Sequence, residues 1–137
     1  MIKPLITYCS PILVGISCHR VEKFQNIQDK AHNLCGGKKI NKWSSVDETI
    51  KRNALLMVFA CLHCTQPEMY DSYFTRMSHC KAMRGNNSLL KLLRVKTESG
   101  RKSFKYQEAL IYNALSADVR DESSVLKFRN KIKTLNF

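Results

Sequence analysis

Sulfur and imidazole are the side chains best placed for chemistry: Cys61, His63 and Cys64 stand within four positions, and His79-Cys80 follows. Thiolates and imidazoles are the ligands of tetrahedral zinc, so the residue types are right for a metal site. Their placement argues against one. Cys61 and Cys64 continue the apolar run Leu55-Leu56-Met57-Val58-Phe59-Ala60-Cys61-Leu62 and do not lie on a tight turn. A helix apolar on nearly every side is a core element, and thiols on it pack as small hydrophobes. Other constellations are weaker. Gly36-Gly37-Lys38-Lys39 lacks phosphate-loop spacing and follows a helical pattern, so it predicts a helix cap. The acid pairs Asp47-Glu48 and Asp121-Glu122 sit at predicted helix starts, where the helix dipole favours negative charge. His19, His32, His63 and His79 are scattered singly, and no nucleophile motif is present. We expect no catalytic residue, no metal ligand and no cofactor.

The basic stretch from Arg76 to Lys105 carries more. It holds nine cations against one acid, Glu98, within a chain of net charge +12. Phosphates require only charge and donors, which Lys and Arg supply, and a loop of such residues contacts a backbone without reading bases. The candidates for phosphate contact are Lys91, Arg94, Lys96, Arg101, Lys102 and Lys105. Phe104 and Tyr106 border them, as stacking platforms or as core residues. The charge points to a polyanionic partner, nucleic acid before membrane. The rival is a helical structural or protein-interaction module whose basic face is merely solvated, and a small zinc-binding domain is a third alternative.

Periodicity supplies the elements that would position these groups. From Cys18 to Cys35, Val21, Phe24, Ile27, Ala31, Leu34 and Cys35 recur at helical spacing, with Ser17 as N-cap and Gly36-Gly37 at the end. Ser45 and Glu48 have capping-box spacing and open a helix through about Cys64. Pro67 suits the first turn of a shorter helix burying Met69, Tyr70, Tyr73 and Phe74. Leu89 to Val95 fits either a short helix or a strand. Thr97 to Leu115 predicts a basic turn at Gly100, a residue free to take positive φ, leading into a helix whose apolar face is Phe104, Leu110, Ile111 and Leu115. Ser116 to Ser124 is polar and turn-like. Val125, Phe128, Ile132 and Leu135 mark a final basic amphipathic helix, with Lys127, Arg129, Lys131 and Lys133 elsewhere on it. Residues 2–16, broken by Pro11, predict a short helix, a turn and an extended link.

With 137 residues and 44% hydrophobic composition, the chain is sized for one domain with its own core. The expected fold is mainly α, about five to seven helices around Leu55–Leu62, with a basic loop region near 76–105. Within the single domain 1–137, the N-terminal helices occupy 1–37, the core helices 44–75, the basic loop region 76–103 and the C-terminal helices 104–137. The six cysteines suit reduced thiols in an intracellular protein, nuclear or cytoplasmic. Lys3 and the apolar residues after it faintly resemble a signal peptide, but Pro4 and Pro11 interrupt them and no small-x-small site follows, so none is expected. No apolar run approaches the roughly 20 residues that span a bilayer.

The chain also resembles the C-terminal region of reverse transcriptases from animal non-LTR (LINE-type) retrotransposons. Tyr8-Cys9-Ser10-Pro11-Ile12 and the segment Val21 to Ala31 are similar to that family's Y-C-S-P-[IV] and L-x-K-[IL]-Q-x-[IL]-Q-x-[RK]-A patterns. Trp43 with Val46, the run from Ile50 to Leu62, Pro67 to Phe74 and His79 to Arg84 are similar to its middle segments. Thr97 to Leu115 resembles T-x-x-G-x-[RK]-S-F-x-Y-x-[AG]-x-x-[LI]-W-N-x-L-P, and Ser124 to Lys133 the closing helix. Tyr112 replaces the usual Trp, Ser116 the usual Pro, and Lys81-Ala82 the usual Tyr-Asn. The polymerase Y-x-D-D hairpin, whose aspartates would hold two catalytic metals, has no counterpart here. The resemblance implies a truncated, diverged fragment of an RNA-directed DNA polymerase. Such a fragment would be inactive alone, gripping template RNA or an RNA/DNA duplex through backbone contacts.

Overall fold

In the computed structural model, which describes Tyr8 and residues 10–36, 43–63, 73–77 and 88–135, the chain is a mainly helical single domain. A 3-10 turn, Ser10–Leu13, precedes α1 (Cys18–Leu34) and α2 (Val46–Leu62); α3 (Glu98–Arg101), α4 (Phe104–Asn113), α5 (Ala117–Arg120) and α6 (Val125–Thr134) follow. No strand forms among the described residues; Arg76 and Leu90 make an isolated antiparallel bridge. No helix among them is long and apolar enough to cross a membrane.

Helix α2 is the centre, as its sequence predicts. Ser45 caps it, its Oγ accepting from the Glu48 N–H at 3.1 Å, and Lys51 reaches back to Asp47 one turn earlier. It packs on the 3-10 turn, α1, α4 and α6. Its far half gives Leu55, Val58, Phe59 and Cys61 to a core that also takes Phe74, Leu90, Ala109, Tyr112, Leu115, Val119, Phe128 and Ile132. The Phe59 and Phe128 rings stack at 4.4 Å, joining α2 to α6. Its near half sends Val46, Ile50 and Ala54 against Val14, with Val21 and Phe24 of α1 packed alongside.

Helix α1 is rotated from the expected orientation. Gln28 and Ala31 are its buried residues, whereas Ile27 is 50% and Leu34 88% exposed. The cause is a pair of glutamines. Gln25 Oε1 accepts from the Val46 N–H, a first-turn donor of α2, and Gln28 Nε2 donates to the Ser44 carbonyl, both at 2.9 Å. These bonds set which side of α1 faces the core. Gly36 takes φ +97° just after α1, as the cap requires. Cys18 and Cys35 are exposed rather than packed.

The stretch from Thr97 to Leu115 is two helices meeting at a corner. Thr97 Oγ1 accepts from the Gly100 N–H, so a helical turn forms where the sequence predicts a left-handed glycine turn. Among the described residues Gly15 and Gly36 are the glycines with positive φ. Gly100 serves by lacking a side chain: a Cβ there would stand 3.0 Å from Val95 Cβ. Gln107 Nε2 donates to the Arg101 carbonyl at 2.7 Å and braces the corner. In α4 the core takes Glu108, Ala109 and Tyr112, while Leu110 is exposed. Ser116 to Ser124 contains the short helix α5 rather than only a turn. Tyr73 to Met77 is not helical, and the rest of the helix expected from Pro67 lies outside the described residues, as do residues 2–7.

Candidate nucleic-acid interface

A cleft lined by basic side chains is built on one residue, Leu90, which is held from two sides. The Met77 N–H donates to the Leu89 carbonyl and the Lys91 N–H to the Thr75 carbonyl, each at 2.8 Å, which forms the bridge. On the other side Asn113 of α4 acts as a strand would. Its Oδ1 accepts from the Leu90 N–H at 2.8 Å and its Nδ2 donates to the Leu90 carbonyl at 2.9 Å. The buried Leu90 thereby has both backbone groups satisfied. The chain beyond it, Lys91 to Arg94, stays at the surface.

Three predicted phosphate ligands meet there. Lys91, Arg94 and Lys105 line a cleft of about 470 Å³ with Thr75, Leu92 and Leu93. Lys105 comes from the first turn of α4, and its Nζ lies 4.8 Å from the centre of the Tyr73 ring, a cation–π contact that steadies it. A second cleft, also about 470 Å³, adjoins the first through Lys91, Leu92 and Arg94 and adds Arg76 and Asn113. Among the described residues no carboxylate lines either one. Lys96, Arg101 and Lys102 are exposed but line neither cleft. Lys102 is paired with Glu98 across one turn of α3; that bond and its charge hold the Glu98 carboxyl below its usual range. An exposed pair of this kind contributes little stability.

Two functional-looking groups were not singled out by type and spacing. Arg76 belongs to the basic stretch, but only the bridge to Leu90 places it in the cleft wall. Its charge, after burial, helps lower the pKa of His63, which stacks on Phe59 at 4.1 Å. Glu108 is 0% exposed, neither carboxylate oxygen has a hydrogen-bond partner, and burial pushes its carboxyl up to about 9. Its spacing with Tyr112 and Leu115 on one helical stripe was the available signal. Tyr112, also 0% exposed, donates its hydroxyl to the Arg120 carbonyl at 3.2 Å. Among the described residues no group of three or more His, Cys, Asp or Glu could hold a metal ion. Cys64, His79 and Cys80 lie outside them, while Cys61 is buried in α2.

Comparison with family models, with curated proteins and with solved structures gives no match for this chain. The identity that the motif resemblance implied, part of a LINE-type retrotransposon reverse transcriptase, an RNA-directed DNA polymerase of a transposable element, therefore has no support from known proteins and does not stand. A helical fold alone does not carry it, because helical domains host many unrelated functions.

Proposed function

We propose that the chain is an accessory nucleic-acid-binding module that holds a phosphate backbone, RNA or an RNA/DNA duplex, in the cleft of Lys91, Arg94 and Lys105. The observation that supports this is their convergence on one concave surface, lined by no carboxylate among the described residues, in a chain of net charge +12. Arg76 extends the same positive wall, and Lys96, Arg101 and Lys102 add diffuse charge beside it. Binding through these groups is independent of base sequence, since each reads charge and not base edges. The setting is intracellular, where the exposed thiols of Cys18 and Cys35 stay reduced.

The test is fluorescence anisotropy with a labelled RNA and the matching RNA/DNA duplex across a salt series. With three to four phosphates neutralised, log affinity falls with log salt at a slope of about 2 to 3.5. The triple change K91Q/R94Q/K105Q flattens the slope and abolishes most binding. Absence of saturable binding at low salt, or an unchanged slope in the triple variant, overturns the proposal.

A further inference from the structure

A second basic cavity shares no lining residue with the cleft. It lies between the N-terminal half of α2 and the last turns of α6, measures about 340 Å³, and is walled by Ser44, Arg52, Arg129 and Lys133 over a floor of Leu56 and Ile132. Arg52 is fixed in place. Its Nη1 donates to Ser44 Oγ and its Nη2 to the Lys133 carbonyl, both at 3.3 Å, which ties the start of α2 to the end of α6. Its Nε is buried and has no acceptor. The side chain is 21% exposed, so its charge is open to the cavity even though both Nη atoms are engaged. Ser44, accepting from Arg52, keeps its own O–H to donate. Arg129 and Lys133 are exposed and one turn apart on α6, so they share a face. No ion pair among the described residues engages either. Among the described residues Glu48 is the carboxylate that pairs with Arg52, at 3.8 Å. Three cations thus line the cavity, and Glu48 offsets one of them.

We propose that this cavity binds a small phosphomonoester. Arg129 presents a planar fork to the phosphate oxygens, Lys133 and the braced Arg52 add charge, and Leu56 with Ile132 receives the uncharged body of the ligand. A volume of about 340 Å³ admits a mononucleotide-sized molecule and excludes a duplex. The site stands independently of the cleft and its function.

The experiment is calorimetric titration of the full chain with a nucleoside 5′-monophosphate, with inorganic phosphate as competitor. Saturable binding is expected, displaced by phosphate and weakened about tenfold by either R129Q or K133Q, because each removes one charge-assisted contact. Both positions are exposed, so thermal melting of these variants should match the parent. Arg52 is left intact, since it braces two helices. The pair K91Q/R94Q should leave this binding unchanged. No saturable binding, or binding lost in K91Q/R94Q and retained in R129Q and K133Q, overturns the proposal.

Discussion

Replacing Glu108 by Gln isolates the energetic consequence of a carboxyl buried without partners. In the folded chain burial pushes this group up to about 9 from an ordinary 4.5, so at neutral pH it is protonated when folded and ionised when unfolded. Folding therefore takes up a proton. The sign follows directly: the unfolded state binds fewer protons between these values, so stability is full below about pH 4.5 and falls as pH rises toward 9. The loss is about 1.4 kcal/mol per pH unit while the difference of one proton persists, or on the order of 4 kcal/mol from pH 5 to pH 8. Gln has the same shape and no titration, so E108Q lacks this slope. His63 works in the opposite direction. Its lowered pKa means that below about pH 6.5 the folded chain binds fewer protons than the unfolded one, and stability rises with pH there. That contribution is common to parent and variant and cancels in their difference. The assay is urea unfolding at pH 5, 6, 7 and 8, followed by circular dichroism and by fluorescence of Trp43, the single tryptophan. E108Q should gain on the parent steadily as pH rises. A difference constant within about 0.5 kcal/mol across this range would show that Glu108 does not carry a proton into the fold, and the reasoning from burial would fail.

Three further changes probe the scaffold. Asn113→Ala removes both bonds to the buried Leu90 backbone and should cost about 2–4 kcal/mol in chemical denaturation while weakening any binding by Lys91 and Arg94. Gly15→Ala should destabilise by about 1–3 kcal/mol, since φ is +84° and the new Cβ would stand 2.7 Å from the Lys102 carbonyl oxygen. A thermal melt equal to the parent's would refute it. Ser45→Ala should cost about 1 kcal/mol through loss of the α2 cap, with Ser45→Asp restoring most of it.

Local rules made part of this molecule legible in one dimension. The α2 cap, the apolar run behind it, the glycine after α1 and the Phe128–Ile132 stripe of α6 each follow from the spacing of neighbours along one helix. So does the position of the basic stretch. What depends on contacts between distant segments was not legible. The turn of α1 toward Gln28 is set by bonds to Ser44 and Val46 across the interhelical space, and apolar periodicity alone put Ile27 and Leu34 inside instead. Glycine's tolerance of positive φ predicts a backbone role for Gly100, yet its absent Cβ makes room for Val95. Of six candidate cations, Lys91, Arg94 and Lys105 share a cleft because Asn113 fastens Leu90 to α4, a pairing across 23 positions with no local signature. The sequence by itself determined the amphipathic or apolar helices α1, α2 and α6 and the charge. Tertiary structure decided which charges meet and which carboxyl loses its water, because convergence and desolvation belong to chain segments that are neighbours only once folded.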